Sequence, residues 1–139
     1  MIPAADFRLL AVVGLMQLVL GVAVRVARVA PLTVAIARQR ARAQGIVGAP
    51  DERIAWAIEA VGRRLPGIST CLVRALAADL FLTRADRPGH VRIGVRRTSA
   101  GQLQSHAWFE RDARILVGAA GADDYVQFTT LDGYSGRRH

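Results

Sequence analysis

Between Arg8 and Arg25 the chain reads LLAVVGLMQLVLGVAV, apolar at every position except Gln17 and the small glycines. Gly14, Gln17, Gly21, Arg25 and Arg28 recur at three- and four-residue steps, which predicts a helix with one polar or small stripe on an oily cylinder. That pattern suits a core or interface helix, and it also suits a helix that lies on a membrane or packs on a partner protein. The run is shorter than the ~20 residues needed to cross a bilayer. It also lacks the basic start and small-residue cleavage site of a signal peptide.

A second helix, about Leu32 to Ala43, is expected after Pro31, and QGIVGAPDE breaks the pattern with two glycines and a proline. Pro50 and Asp51 open a third helix, with Ile54, Ala55, Ile58 and Val61 on its apolar face, Trp56 to one side and a stop near Gly62. RRLPGIST is loop, and Ser69 or Thr70 is suited to cap a fourth helix from Cys71 to about Thr83, striped by Leu72, Leu76 and Leu80.

Beyond RADRPGH the period changes from helical to alternating. HVRIGVRRT sets Val91, Ile93 and Val95 against Arg92, Gly94 and Arg96, and SAGQ turns the chain into LQSHAWFER. RILVG and YVQFTTL follow, each short and rich in β-branched or aromatic residues. Helices first and strands afterwards predict an α+β fold, with N-terminal helices followed by an antiparallel sheet.

Charge adds a constraint on partners. All nineteen basic residues are arginine against eleven acids, a formal charge of +8. Six arginines and no acid lie between Phe7 and Gln44, so this segment should approach something anionic. Nucleic acid fits poorly, because aromatics are only 6% and are not interleaved with the arginines as a stacking platform requires. One cysteine excludes an internal disulfide and suits a cytoplasmic setting. His90, His106 and His139 are too scattered for a zinc site, so neither metal nor cofactor is expected.

The one cysteine, Cys71, falls in the first turn of the fourth helix. There the positive helix end favours a thiolate, and the free N–H groups can hold an oxyanion. Alone, such a cysteine is more often a small buried hydrophobe. His106, in SHAWFE, stands on a strand with Trp108 and Glu110 on its face and Ala107 and Phe109 on the other. A cysteine on a helix N-terminus followed by a strand histidine is the order of the papain and transglutaminase type of cysteine hydrolase.

The runs TCLVRALAADLFLTR, VRIGVRR, SHAWFE and ILVG resemble the lasso peptide biosynthesis B2 proteins, transglutaminase-like cysteine proteases that remove the leader from a ribosomally made precursor peptide. The oily, arginine-punctuated N-terminal helices resemble that family's N-terminal region. The resemblance implies a papain/transglutaminase-like core, with Cys71 as nucleophile and His106 as general base and acid. Its implied substrate is a lasso precursor whose leader carries threonine next to its last residue. The released core peptide would pass to an ATP-using, asparagine-synthetase-like cyclase. Residues 1–66 show no alternating strands, which implies the split form that needs a separate B1 recognition protein. The expected organisation is a hydrophobic, arginine-rich helical segment at 1–48, the protease core at 49–134 and a tail at 135–139. A non-catalytic adaptor bridging precursor, B1 protein and cyclase is the alternative.

Family members place an acid on the strand after the histidine strand, and this chain departs from that pattern. If Asp112 and Ala113 form a two-residue hairpin turn, His106 falls opposite Ala119, beside Gly118 and Ala120, none of which carries a carboxylate. Asp112 then points away as a turn residue. Asp123 and Asp124 in the loop before the last strand, Glu110, the Gln104 amide or a backbone carbonyl remain as groups to orient the ring. Arg74, one turn past Cys71, is expected to pair with an acid such as Asp79, and Trp108 to pack in the core.

Overall fold

A computed structural model describes residues 4–26, 29–65, 67 and 70–131. Four helices, α1 (Ala4–Val26), α2 (Val29–Val47), α3 (Asp51–Arg64) and α4 (Cys71–Leu82), precede four strands, β1 (His90–Arg97), β2 (Leu103–Arg111), β3 (Arg114–Val117) and β4 (Val126–Leu131). The strands form one sheet in the order β3-β2-β1-β4, with all three pairings antiparallel. The expected α+β architecture is therefore present. Ser69, Arg28, His139 and the tail at 135–139 lie outside the described residues.

α4 is the hub. Every side chain from Ala75 to Leu82 is buried, because the helix is covered by α1, α2 and α3 on one side and by β2 on the other. Thr70 caps it: the Val73 N–H donates to Thr70 Oγ1 at 3.3 Å, satisfying one of the orphan donors of the first turn. Buried Asp79 ties α2 to α4, accepting from Arg40 Nη2 at 2.8 Å on both carboxylate oxygens and from Thr83 Oγ1 at 2.8 Å.

Two helices differ from the sequence expectation. α2 runs through Gly45 and ends only at Gly48, whose φ of +54° provides a left-handed stop, with its N–H bonded to Gln44 O at 3.1 Å. α1 extends beyond the apolar run at both ends, so that Asp6–Arg25 makes a 20-residue segment long and apolar enough to cross a membrane by length and composition. Gly14, Gln17 and Gly21 of its polar stripe face inward, while Arg25 is exposed. Gln17 is fully buried and donates to Ile58 O at 3.1 Å, and Gly14 lets α1 approach Val61.

Asp51, in the first turn of α3, gathers Arg84, Arg87 and the buried Arg111 around one carboxylate, with Arg111 Nη2 at 2.7 Å. Burial pushes the Asp51 carboxyl up, but the hydrogen bonds and charges of Arg84 and Arg111 outweigh it and hold the group below its ordinary range. Arg84 is raised in turn, chiefly by its bond to Asp51. A cavity of about 370 Å³ beside this cluster lies at the end of β2 away from His106.

Candidate functional site

Alternation along β2 sorts its side chains. Ala107 and Phe109 are buried in the core shared with the helices, and Arg111 on the same face donates from Nη1 to Leu82 O at 2.9 Å. His106, Trp108 and Glu110 occupy the other face. There Glu110 pairs with Arg92 of β1 at 3.3 Å, and His106 and Trp108 stack with ring centroids 5.8 Å apart.

The Arg111–Leu82 bond joins the C-terminal ends of α4 and β2. Running back along the helix to Cys71 covers ~16 Å, and running back along the strand to His106 covers about the same. The burial pattern of β2 marks that level too: residues 103–105 are exposed and the covered half begins at His106. Cys71 is half-buried as the first residue of α4 and packs on the edge of the core. Thiol and imidazole belong to different layers, helix and sheet, with His106 on the face of β2 opposite Ala107 and Phe109, and no hydrogen bond joins them among the described residues.

What holds the ring is a backbone carbonyl. His106 Nε2 lies 2.8 Å from Gly118 O. A carbonyl only accepts, so Nε2 carries the proton and the neutral ring keeps its lone pair on Nδ1, the atom a general base needs. Gly118 reaches this position because it has no side chain. Its φ is +87°, and a Cβ would sit 3.0 Å from Ala107 O and 3.0 Å from Trp108 Cβ.

Tyr125 closes the other side, its ring centroid 5.2 Å from that of His106, with the Arg96 guanidinium 5.1 Å from its centroid. Gly94, opposite His106 in the β1–β2 ladder, makes room for these rings. A Cβ there would meet Tyr125 Cβ at 2.8 Å and Trp108 Cη2 at 2.9 Å. The sequence reading missed Tyr125 and Gly94; a glycine inside an alternating strand was the available signal of close approach.

Of the carboxylates considered, none bonds the ring among the described residues. Asp124 is exposed and lies 3.8 Å from Arg96, Asp123 is exposed in the same 3-10 turn (Ala122–Asp124), and Glu110 is engaged by Arg92. The Gln104 amide accepts from Arg96 Nε at 3.0 Å instead. Asp112 and Ala113 do form the two-residue turn, with φ of +53° and +61°, and Asp112 is exposed. The register beyond it differs from the regular count, however. A bulge between Phe109 and Glu110 places Phe109 opposite Val117 instead of Leu116, and β3 ends there, so the regular count to Ala119 does not hold. Arg74 pairs with Glu59 at 3.7 Å rather than with Asp79, which Arg40 already occupies, and its side chain lies across Gly62. Trp108 is buried, against the outer rings rather than the helical core.

A cysteine in the first turn of a helix, a strand histidine with its tautomer set, and an antiparallel sheet packed on the cysteine's helix define a transglutaminase-like architecture. The family model of the transglutaminase-like superfamily matches residues 15–131, and the chain belongs to that superfamily. No curated protein and no solved structure matches it.

Proposed function

We propose that the protein is a cysteine peptidase that removes the leader from a lasso precursor peptide, in the cytoplasm and with a separate B1 protein presenting the substrate. The observation that carries this reading is the His106–Gly118 bond, which leaves the Nδ1 lone pair free on a residue that follows a first-turn helix cysteine in the family's order. Nδ1 takes the Cys71 proton and the thiolate attacks the amide carbonyl between leader and core. N–H groups of the first turn of α4 stabilise the oxyanion. The imidazolium then protonates the departing amine, and water hydrolyses the thioester to release the leader as a carboxylate and restore the thiol. Attack needs Sγ within hydrogen-bond reach of Nδ1, a contact that tightens with substrate in many hydrolases. The released core would be the substrate of the ATP-using cyclase.

Leader release followed by mass spectrometry, with precursor and B1 protein present, tests the reading. The unmodified chain should cleave, and Cys71→Ala and His106→Ala should not. Cleavage that survives Cys71→Ala overturns it. The separate layers of Cys71 and His106, and a ring held without a carboxylate, favour one second reading, a non-catalytic adaptor that binds precursor, B1 protein and cyclase. No cleavage by the unmodified chain, with an intact complex on size-exclusion chromatography, would establish that alternative.

A further inference from the structure

α1 wears its polarity inside out. Its mid-helix polar residue, Gln17, is fully buried, whereas Phe7, Ala11, Leu15, Leu18, Val19 and Val22 form one exposed stripe along its outer edge. Phe7, Leu15 and Val22 are each 60% exposed or more. A water-facing helix shows the opposite pattern. The stripe runs ~22 Å along the axis, far more than the scattered apolar residues of an ordinary surface. Beside it an apolar cleft of about 290 Å³ between α1 and α2, lined by Met16, Ile36 and Ile46 among others, continues the same surface.

Cations frame this face. Arg8 and Arg25 stand exposed at its two ends and Arg38 and Arg42 on α2, and no ion pair neutralises these four among the described residues. The stripe itself offers no hydrogen-bonding side chain. A protein partner of comparable area ordinarily makes about one hydrogen bond per 100–200 Å², while acyl chains need none. Hydrocarbon in the middle and arginines at the rim that meet no carboxylate among the described residues, Arg8 and Arg25 donating to the Ile46 and Gly67 carbonyls, match the layering of an anionic bilayer surface.

We propose that α1 is an in-plane membrane anchor that seats its outer stripe in an anionic bilayer surface, with Arg8, Arg25, Arg38 and Arg42 on the lipid headgroups. It lies along the surface rather than crossing it, because its inner face is committed. Leu9, Val13 and Leu20 are core residues, Gln17 is bonded to α3, and Asp6 pairs with Arg53. This proposal is independent of the peptidase reading, since it needs neither Cys71 nor substrate.

Flotation of the full chain with phosphatidylcholine vesicles, and with vesicles of phosphatidylcholine and phosphatidylglycerol in equal parts, tests it. Binding should favour the anionic vesicles, weaken with salt, and be lost on alkaline extraction. Leu15→Glu with Val22→Glu changes exposed positions only, so the melting temperature should hold while vesicle affinity falls by about tenfold or more. No flotation, flotation indifferent to the double substitution, or retention through alkaline extraction overturns the proposal. So does a dimer in light scattering that the double substitution dissolves without any vesicle binding, which would assign the stripe to a second copy of the chain.

Discussion

His106 and Gly118 are joined ring to backbone: Nε2 donates to the Gly118 carbonyl oxygen at 2.8 Å, across a gap that only a glycine at φ +87° can close. A carboxylate supplies both orientation and charge to a catalytic imidazole; a carbonyl supplies orientation and a partial charge only. In the proposed peptidase mechanism the imidazolium formed during attack is therefore less stabilised than in a full triad. Catalysis would depend correspondingly on N–H groups at the oxyanion.

Gly118→Ala should damage the site through backbone position alone. Positive φ costs a residue with a Cβ ~1–2 kcal/mol, and the new Cβ would press on Ala107 O at 3.0 Å. The expected outcome is a lower melting temperature and a fall in kcat of leader release, because the displaced carbonyl no longer fixes the ring. Gly118→Asp should not restore activity, since it carries the same backbone conflict. A Gly118→Ala variant with unchanged kcat would show that the carbonyl does not position the ring.

Gly94 is the point at which the alternating pattern of β1 and the packing of the site disagree. Valine fits the local β-propensity, but its Cβ would lie within 2.9 Å of both Tyr125 and Trp108. Gly94→Val is expected to destabilise the fold by about 1–3 kcal/mol. Coupling with Trp108→Ala, which removes the ring atoms that the new Cβ would meet, checks the cause: the double variant should recover part of the loss in a double-mutant cycle by thermal melting.

Much of this arrangement was legible in the sequence, and the failures have physical causes. β2 and the Asp112–Ala113 turn follow from alternation and hairpin geometry, and Thr70 as cap follows from the needs of the first turn of α4. The bulge opposite Phe109 does not, because counting residues from a turn assumes an unbroken ladder. Arg40 with Asp79, and Arg111 with Asp51, are ion pairs between residues 39 and 60 positions apart, set by tertiary packing that no local pattern encodes. The stripe on α1 was visible as a periodicity. Which way it faced depends on the packing of α3, and it turned its polar side inward.

The Arg40–Asp79 pair should show the asymmetry of buried charges. Asp79→Ala removes the carboxylate that α2 and Thr83 share and strands a largely covered guanidinium, with an expected loss of ~3–5 kcal/mol. Arg40→Met with Asp79→Leu replaces both charges with apolar volume and should recover most of it. Chemical denaturation of the two variants against the unmodified chain measures the difference, and equal losses in both would mean that helix packing, not the ion pair, sets the cost.

Acid stability should report on Asp51. Its folded-state carboxyl is held below the ordinary value of 3.8 by Arg84 and Arg111, so the folded state holds its charge where the unfolded chain already binds a proton. The stabilisation is complete above the unfolded value, near pH 4, and fades as pH falls through the lower folded value. Other carboxylates titrate in the same window, so the informative quantity is the melting temperature of the unmodified chain minus that of Asp51→Asn, followed with pH. That difference should be positive and flat from neutral pH down to about pH 5, then shrink as the pH drops further. A gap that stays constant into the acid range would assign the effect of Asp51→Asn to hydrogen-bond geometry at the start of α3 and not to the carboxylate's charge.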